Sequence, residues 1–224
     1  MSKVKAIIIS YTGVLAFACI IYISGGRIVY WQATLYVILA LTGTTLNHVL
    51  VPRGSELINE RASRLYEGIK WDKTLLKILF LLSVITFAIA GLDSGRFKWS
   101  GHVPYIATIA GVLLMIDGQL LFALAKHVNS FFFSTVMIET KRKHIVCETG
   151  LYSKVRHPGY LGMIISNAGF PLVINSYWSY IPVTISIGIL ILRTYLEDEF
   201  LKAGLEGYNN YIIKTRWRLF PGIF

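Results

Sequence analysis

The chain has 224 residues, of which 54% are hydrophobic and only 15% are charged. A soluble domain usually carries about a quarter charged residues, so this composition excludes an ordinary soluble domain. The net charge of +10 lies in loops that flank apolar runs, where anionic lipid and the positive-inside rule explain it better than nucleic acid does. We therefore predict an all-α, polytopic integral membrane protein. We expect it to interact with the lipid bilayer and not with nucleic acid.

Six apolar segments are long enough to cross a bilayer, which needs roughly 20 mostly apolar residues. They lie at about 4–24, 28–50, 74–92, 103–125, 158–175 and 178–198. The last two meet at Asn175-Ser176-Tyr177, which predicts a tight helical hairpin. Gly162, Gly169 and Gly188 predict close approach between helices. We divide the chain into N-terminal membrane helices (1–125) and a cofactor-binding region with the hairpin and an interfacial tail (126–224).

The distribution of basic residues predicts the orientation in the membrane. If the N-terminus is cytoplasmic, the long loops at 52–73 and 126–157 and the C-terminal tail all face inward. The outward loops then hold only Arg27, Arg96 and Lys98. Both termini are therefore predicted to be cytoplasmic. The 52–73 loop mixes charges of both signs with apolar residues, a pattern typical of a short amphipathic helix on the membrane surface.

A basic turn, Arg156-His157-Pro158-Gly159-Tyr160, stands where the fifth apolar segment begins. Pro158 suits the first turn of a helix, where its missing N–H is no loss. Upstream, Gly150 and Tyr152 offer close backbone approach and an aromatic face that attracts a cation such as a sulfonium. Taken singly, these residues are as well explained as a helix cap, a turn glycine and headgroup anchors. Their concentration at a membrane boundary predicts part of a cofactor site.

The sixth apolar segment ends in a cluster of charges. Arg193 and Glu197 are four residues apart and share one helix face, so a helix-end salt bridge with a snorkelling arginine explains them in structural terms. A functional explanation rests on the run Glu197-Asp198-Glu199, because placing acidic side chains at a membrane boundary costs free energy. Such an acid suits a ribose or a cationic group, while Arg193 suits an anionic substrate group.

The remaining polar residues give no metal or disulfide signal. Cys19 lies in an apolar run and Cys147 in a polar loop, so they predict neither a disulfide nor a metal site. His102 and His127 have no partners at metal-ligand spacing. We predict no metal. Asp117, inside the fourth segment, allows either a functional role or a hydrogen bond to a neighbouring helix.

Several sets of residues occur together in a recognisable order. They are His144-Ile145-Val146, Gly150-Leu151-Tyr152, residues 156–162, Arg193 with Glu197-Asp198, Tyr208, Tyr211 and residues 218–221, together with Asn129–Ser134, Glu60-Arg61 and Trp71-Asp72. In this combination they resemble the isoprenylcysteine carboxyl methyltransferase family, whose superfamily also includes the phospholipid N-methyltransferases. The resemblance spans roughly residues 55–224 and is clearest from residue 129 onward.

The resemblance implies S-adenosylmethionine as methyl donor, bound on the cytosolic side by the C-terminal half. By position, the implied cofactor contacts are His144, Ile145, Val146, Cys147, Gly150, Tyr152, His157, Pro158, Gly159, Tyr160 and Glu197. Arg193 matches the position that engages the substrate near the transferred methyl group, so Arg193 and Glu197 are the implied catalytic pair. The chain departs from the family pattern at Glu139, where a glutamine is frequent, and at Asp198, which replaces the second glutamate.

We predict carboxyl O-methylation of a lipophilic, isoprenylcysteine-like acceptor at the cytoplasmic face. A carboxylate is already ionised at neutral pH, whereas an amine would need a base such as Glu197 or Glu199. Three alternatives stay open: a phospholipid N-methyltransferase, an NADPH-dependent sterol-type reductase and a non-enzymatic membrane scaffold. The reductases usually read Arg-His-x-Asn-Tyr where this chain has Pro158-Gly159. The sequence identifies neither the acceptor nor the oligomeric state.

Overall fold

The computed structural model describes residues 3–50, 68–139 and 143–224. This part of the chain is helical and contains no strand, so the predicted all-α fold is confirmed. Its helices are α1 (Lys3–Gly25), α2 (Trp31–Leu50), α3 (Lys70–Ala90), α4 (Tyr105–Val128), α5 (Pro158–Ile174), α6 (Tyr180–Gly204) and α7 (Tyr208–Lys214). A π-helical turn, Gly91–Phe97, prolongs α3, and a 3-10 turn, Gly150–Ser153, precedes α5.

Within the described residues, five helices are long and apolar enough to cross a membrane. They are α1, α2, α3 with its π-helical turn, α4 and α6; α5 is apolar but only 17 residues long. The predicted polytopic membrane architecture is therefore confirmed, with helix ends that differ from the predicted ones by several residues. Residues 52–67 of the predicted amphipathic segment lie outside the described residues, whereas residues 70–73 form the first turn of α3.

Glycines bring α4 and α5 into close contact. A Cβ atom on Gly118 would lie only 2.5 Å from the carbonyl oxygen of Gly162, and one on Gly111 only 2.8 Å from that of Gly169. Such positions let two helix backbones approach each other. The predicted close approach is confirmed at Gly162 and Gly169. It is wrong at Gly188, where a Cβ would meet no described atom within 4 Å.

The predicted hairpin between α5 and α6 is confirmed, and the buried Asp93 stabilises its turn through hydrogen bonds. Asn175 ends α5 in the left-handed conformation, with φ 60°. Asp93, in the π-helical turn after α3, accepts hydrogen bonds from Ser176 Oγ at 2.6 Å and from Trp178 N at 3.4 Å. Ser100 also donates to Asp93, through its backbone N at 2.7 Å and its Oγ at 2.5 Å. This end of the bundle is therefore tied together by neutral donors.

At the other end of the bundle, the C-terminal tail lies against the basic turn that begins α5. The backbone N–H groups of Arg156 and His157 donate to the carbonyl oxygens of Trp217 and Arg218, both at 2.9 Å. α7 packs nearby through the buried Tyr208 and Tyr211, which share a hydrophobic cluster with Tyr152. The loop after α4, the start of α5, the end of α6 and the tail are thus assembled into one region.

Candidate active site

A cavity of about 360 Å³ lies in this region, between the loop after α4, the start of α5 and the end of α6. Most of the predicted site residues line it: His144, Val146, Cys147, Tyr152, His157, Gly159, Tyr160, Arg193 and Glu197. Much of the remaining wall is aromatic or apolar, and includes Phe122, Phe131, Phe132, Phe133, Met163 and Leu201. Motifs that are far apart in sequence therefore share one cavity.

Three of the predicted cofactor contacts do not line the cavity. The Ile145 side chain is 66% exposed. Gly150 opens the 3-10 turn with φ 60°, a left-handed conformation that glycine adopts without strain. Pro158 is buried as the first residue of α5. The structure therefore gives Gly150 and Pro158 a role in shaping the backbone, and it directs the Ile145 side chain away from the cavity.

Phenylalanines of the loop after α4 form one wall of the cavity. The ring of Phe131 stacks on His144, with ring centroids 4.3 Å apart. Phe132 occupies the space beside Gly159, where an added Cβ would lie 2.6 Å from the phenyl ring. The fourth residue of the basic turn must therefore be glycine for Phe132 to sit there.

His144 faces the cavity as a neutral imidazole. Burial lowers its pKa, although the negative charge of Glu139 opposes that shift. The backbone N–H of Glu139 also points to Nδ1 of His144 at 3.4 Å, which suits an unprotonated nitrogen. His144 is therefore an uncharged group at neutral pH, available for hydrogen bonding and stacking.

Asp198 is the centre of a buried network beside the cavity. It is 1% exposed and receives both Nε and Nη2 of Arg156, at 2.8 and 2.9 Å. Tyr208 Oη donates to the same carboxylate at 2.8 Å, His157 Nε2 lies 3.2 Å away and Arg218 Nε lies 2.8 Å away. The second acid of the sequence motif therefore holds His157 in place, and its oxygens are already engaged by protein groups.

Arg156 joins this network to the tail. Its Nη1 donates to the carbonyl oxygens of Thr215 at 2.9 Å and of Arg216 at 2.6 Å. Burial works to lower the pKa of Arg156, but its hydrogen bonds to Asp198 outweigh that effect and raise it. Burial and the charge of Asp198 likewise raise the pKa of Tyr208, so its phenol stays protonated and acts as a donor. Arg156 therefore stays charged and Tyr208 stays protonated, and both groups hold the tail over the site.

Arg193 is held by an ion pair that crosses the bundle. Its Nε lies 2.6 Å from Oδ1 of Asp72 and its Nη2 lies 3.2 Å from Oδ2. Nη2 also donates to the carbonyl oxygen of Ser134 at 2.9 Å, and the guanidinium lies 5.1 Å from the ring centroid of Tyr160. Asp72 is fully buried and accepts the N–H of Val136 at 2.8 Å. Arg193 is therefore paired with Asp72 rather than with Glu197.

Glu197 stands on the cavity wall next to Arg193. The phenol of Tyr160 donates to Glu197 Oε2 at 2.5 Å, which links α5 to α6. The same Tyr160 ring lies against the guanidinium of Arg193. A carboxylate, a phenol and a guanidinium therefore meet at one point of the cavity. Such a set can bind a hydroxyl or cationic group on one side and an anionic group on the other.

Sequence reasoning gave no role to Asp72 or to the aromatic wall. Both belong to stretches that carried the family resemblance, namely Trp71-Asp72 and residues 129–134, and this was the available signal. The partner of Asp72 could not be read from the chain because Arg193 is 121 residues away. The aromatic run 131–133 showed no periodicity that would assign it to a core or to a ligand.

The fold and the cavity define a polytopic α-helical membrane protein with a mixed charged and aromatic site at one end of its bundle. Residues 111–203, from α4 to the end of α6, match the sequence model of the isoprenylcysteine carboxyl methyltransferase (ICMT) family. This region contains the basic turn, Arg193 and Glu197. The family resemblance predicted from the motifs is therefore confirmed.

A named relative agrees with this match. The protein-S-isoprenylcysteine O-methyltransferase of Saccharomyces cerevisiae is 33% identical to this chain over 119 residues. The matched stretch is 48% of this chain and 47% of the relative, so the chain matches about half the length of that protein. Both comparisons therefore show that part of this chain is similar to isoprenylcysteine methyltransferases.

Proposed function

We propose that this chain is an integral membrane methyltransferase that uses S-adenosylmethionine to methylate the carboxylate of a lipophilic, prenylcysteine-like acceptor. The observation that carries the proposal is the meeting of Arg193, Glu197 and the basic-turn residues His157 and Tyr160 around one cavity. We also propose that this cavity faces the cytoplasm, because the described part of the basic loop after α4 and the basic C-terminal tail lie at its end of the bundle.

The residues around the cavity fit S-adenosylmethionine. A volume of about 360 Å³ is within the range of small-molecule sites. The ring faces of Tyr160 and of the phenylalanine wall suit a sulfonium, which a ring attracts as it does other cations. Glu197 suits ribose hydroxyls or the ammonium group of the donor. Gly159 leaves the space that Phe132 fills, and a larger residue there would displace that wall.

When bound, S-adenosylmethionine supplies an electrophilic methyl group whose carbon–sulfur bond breaks with its electron pair going to sulfur. The residues of the chain have mainly to position the acceptor and to exclude water. Asp72 and Ser134 fix Nε and Nη2 of Arg193, so we assign Nη1 to the acceptor carboxylate. No residue has to remove a proton, because a carboxylate is already ionised at neutral pH. The product is a methyl ester.

The first test is calorimetric binding of S-adenosylmethionine and, separately, of NADPH to purified protein in detergent. Glu197→Ala and His157→Ala should weaken saturable S-adenosylmethionine binding. Glu199→Ala is the matched control, because Glu199 belongs to the same acid run but does not line the cavity. NADPH binding alone would favour the reductase, and binding of neither ligand by folded protein would favour the scaffold.

The second test identifies the acceptor. Methyl transfer from radiolabelled S-adenosylmethionine is measured with N-acetyl-S-farnesylcysteine and with phosphatidylethanolamine. The proposal predicts a base-labile methyl ester on the farnesylcysteine and no transfer to the amine. A base-stable product on phosphatidylethanolamine alone would replace it with N-methylation.

A further inference from the structure

Two adjoining cavities lie at the end of the bundle opposite the candidate active site. The first, of about 290 Å³, is polar, and its lining includes Arg27, Lys98 and His102. The second, of about 550 Å³, is an apolar groove between α2 and α4, lined by residues such as Ile109 and Leu113. Trp31 and Tyr105 line both cavities, so the polar space and the groove adjoin each other at these two side chains.

The exposed charge at this end is positive. The described loops there carry Arg27, Arg96 and Lys98, and all three side chains are exposed. Asp93 is the one acidic residue in these loops; it lines the polar cavity but is fully buried, and its oxygens accept hydrogen bonds from Ser100, Ser176 and Trp178. The accessible part of the polar cavity is therefore suited to an anion.

The apolar groove has the position and length of a lipid tail. Ile109 and Leu113 are 54% and 57% exposed, and they line it on a helix that is apolar enough to span a membrane. From Tyr105 to Leu113 a helix rises roughly 12 Å, slightly less than half of a hydrocarbon core about 30 Å thick. Trp31 and Tyr105 mark the level of the headgroups, where such residues concentrate in membrane proteins.

We propose that these two cavities form one binding site for an anionic phospholipid of the leaflet opposite the candidate active site. The phosphate lies in the polar cavity near Arg27 and Lys98, and one acyl chain lies in the groove between α2 and α4. Charge-assisted hydrogen bonds select an anionic headgroup, since two cations and no accessible acid line that space.

The bound lipid stabilises the contact between α2 and α4. A ligand that binds only the folded protein raises its melting temperature by mass action. This effect is independent of methyl transfer, so the site can be tested whatever the acceptor proves to be.

The experiment measures the melting temperature of the full chain in neutral detergent with added phosphatidylglycerol, phosphatidylcholine or glycerol 3-phosphate. Phosphatidylglycerol should raise it by several degrees more than phosphatidylcholine does. Arg27→Gln and Lys98→Gln should each reduce that difference, and the double variant should abolish it. Arg96→Gln is the matched control: Arg96 is exposed at the same end and lies near the carbonyl oxygen of Ile23, but does not line the cavity.

A second variant tests the groove alone. Ile109→Trp fills the apolar groove while it leaves both cations in place, and it should also abolish the phosphatidylglycerol effect. Equal stabilisation of wild type and the double variant would overturn the proposal, and so would a full effect from glycerol 3-phosphate without a lipid tail. If a variant fails to fold, native mass spectrometry of the wild type decides: retention of phosphatidylglycerol over phosphatidylcholine supports the site, and equal retention overturns it.

Discussion

Each end of this bundle is stabilised by one buried aspartate, Asp93 at one end and Asp198 at the other, and the two have different hydrogen-bond partners. Asp93 accepts hydrogen bonds from hydroxyl and backbone N–H groups around the α5–α6 turn. Asp198 accepts from two guanidinium groups, and a phenol and an imidazole also lie within hydrogen-bond distance. Both carboxylates are almost fully buried, so burial does not distinguish them. The partners do, because Arg156, His157 and Tyr208 also line the candidate active site, whereas the partners of Asp93 do not.

The largest expected effect is the loss of Asp198. Asp198→Ala leaves Arg156 buried without its ion-pair partner, and breaking a buried pair in this way typically costs about 3–5 kcal/mol of unfolding free energy. Asp93→Ala leaves only neutral donors, and the hydroxyls of Ser100 and Ser176 can rotate towards other acceptors. The total loss should therefore be smaller, roughly 1–3 kcal/mol. Denaturant unfolding in mixed micelles measures both. An equal or larger loss for Asp93→Ala would remove the distinction between the two ends.

The next effect concerns Asp72, which we expect to position Arg193. Asp72→Asn weakens the ion pair and should lower kcat on the order of 100-fold, as small misplacements of a reacting group do. The dissociation constant of S-adenosylmethionine should change little. Asp72→Glu should restore part of the activity, and Asp93→Asn is the control for a buried acid at the other end. A parallel loss of cofactor affinity and kcat would indicate a general structural role instead.

A smaller effect is expected at Gly159. Gly159→Ala places a Cβ 2.6 Å from the ring of Phe132, so this ring, which lines the cavity, has to shift. We expect S-adenosylmethionine affinity, measured by calorimetry, to fall about tenfold, which corresponds to about 1.4 kcal/mol. Phe132→Leu in the same chain should recover part of it. Gly188→Ala, in open space on α6, should leave affinity unchanged; a similar loss there would argue against the steric explanation.

The smallest effect is a difference in thiol reactivity. Burial raises the pKa of Cys147, which lines the cavity, and only the thiolate reacts quickly. In a Cys19→Ser background, maleimide labelling near neutral pH should be slower than that of free cysteine. Labelling should accelerate as the pH rises through and above the usual thiol range, and added S-adenosylhomocysteine should slow it. Fast labelling at neutral pH, or no protection, would place Cys147 outside the bound cofactor.

The helices could be predicted from the sequence, because apolar length and local turn chemistry are properties of neighbouring residues. That the distant motifs share one site was implied only by the family resemblance. Pro158 starts α5 and the left-handed Asn175 ends it, which is why that helix is shorter than its neighbours. The pairing of Asp72 with Arg193 could not be predicted, because it joins α3 to α6 across the bundle.

Only the family resemblance singled out Glu197 within the acid run, and the residues themselves did not distinguish it from Asp198. Glu197 and Asp198 look equivalent in the sequence, but consecutive residues on a helix point about 100° apart. Glu197 therefore faces the cavity, whereas Asp198 faces the basic turn and the tail. Which of two adjacent acids faces a ligand depends on how the helix is rotated in the bundle, and a single sequence does not contain that rotation.

The tail meets the basic turn through backbone atoms, from the N–H groups of Arg156 and His157 to the carbonyl oxygens of Trp217 and Arg218. Bonds of this kind depend on register and not on side-chain identity. At these contacts, substitutions of Trp217 should be tolerated far better than a one-residue insertion between α7 and Trp217. Such an insertion would shift the carbonyl groups past their donors and leave two buried N–H groups to find new acceptors.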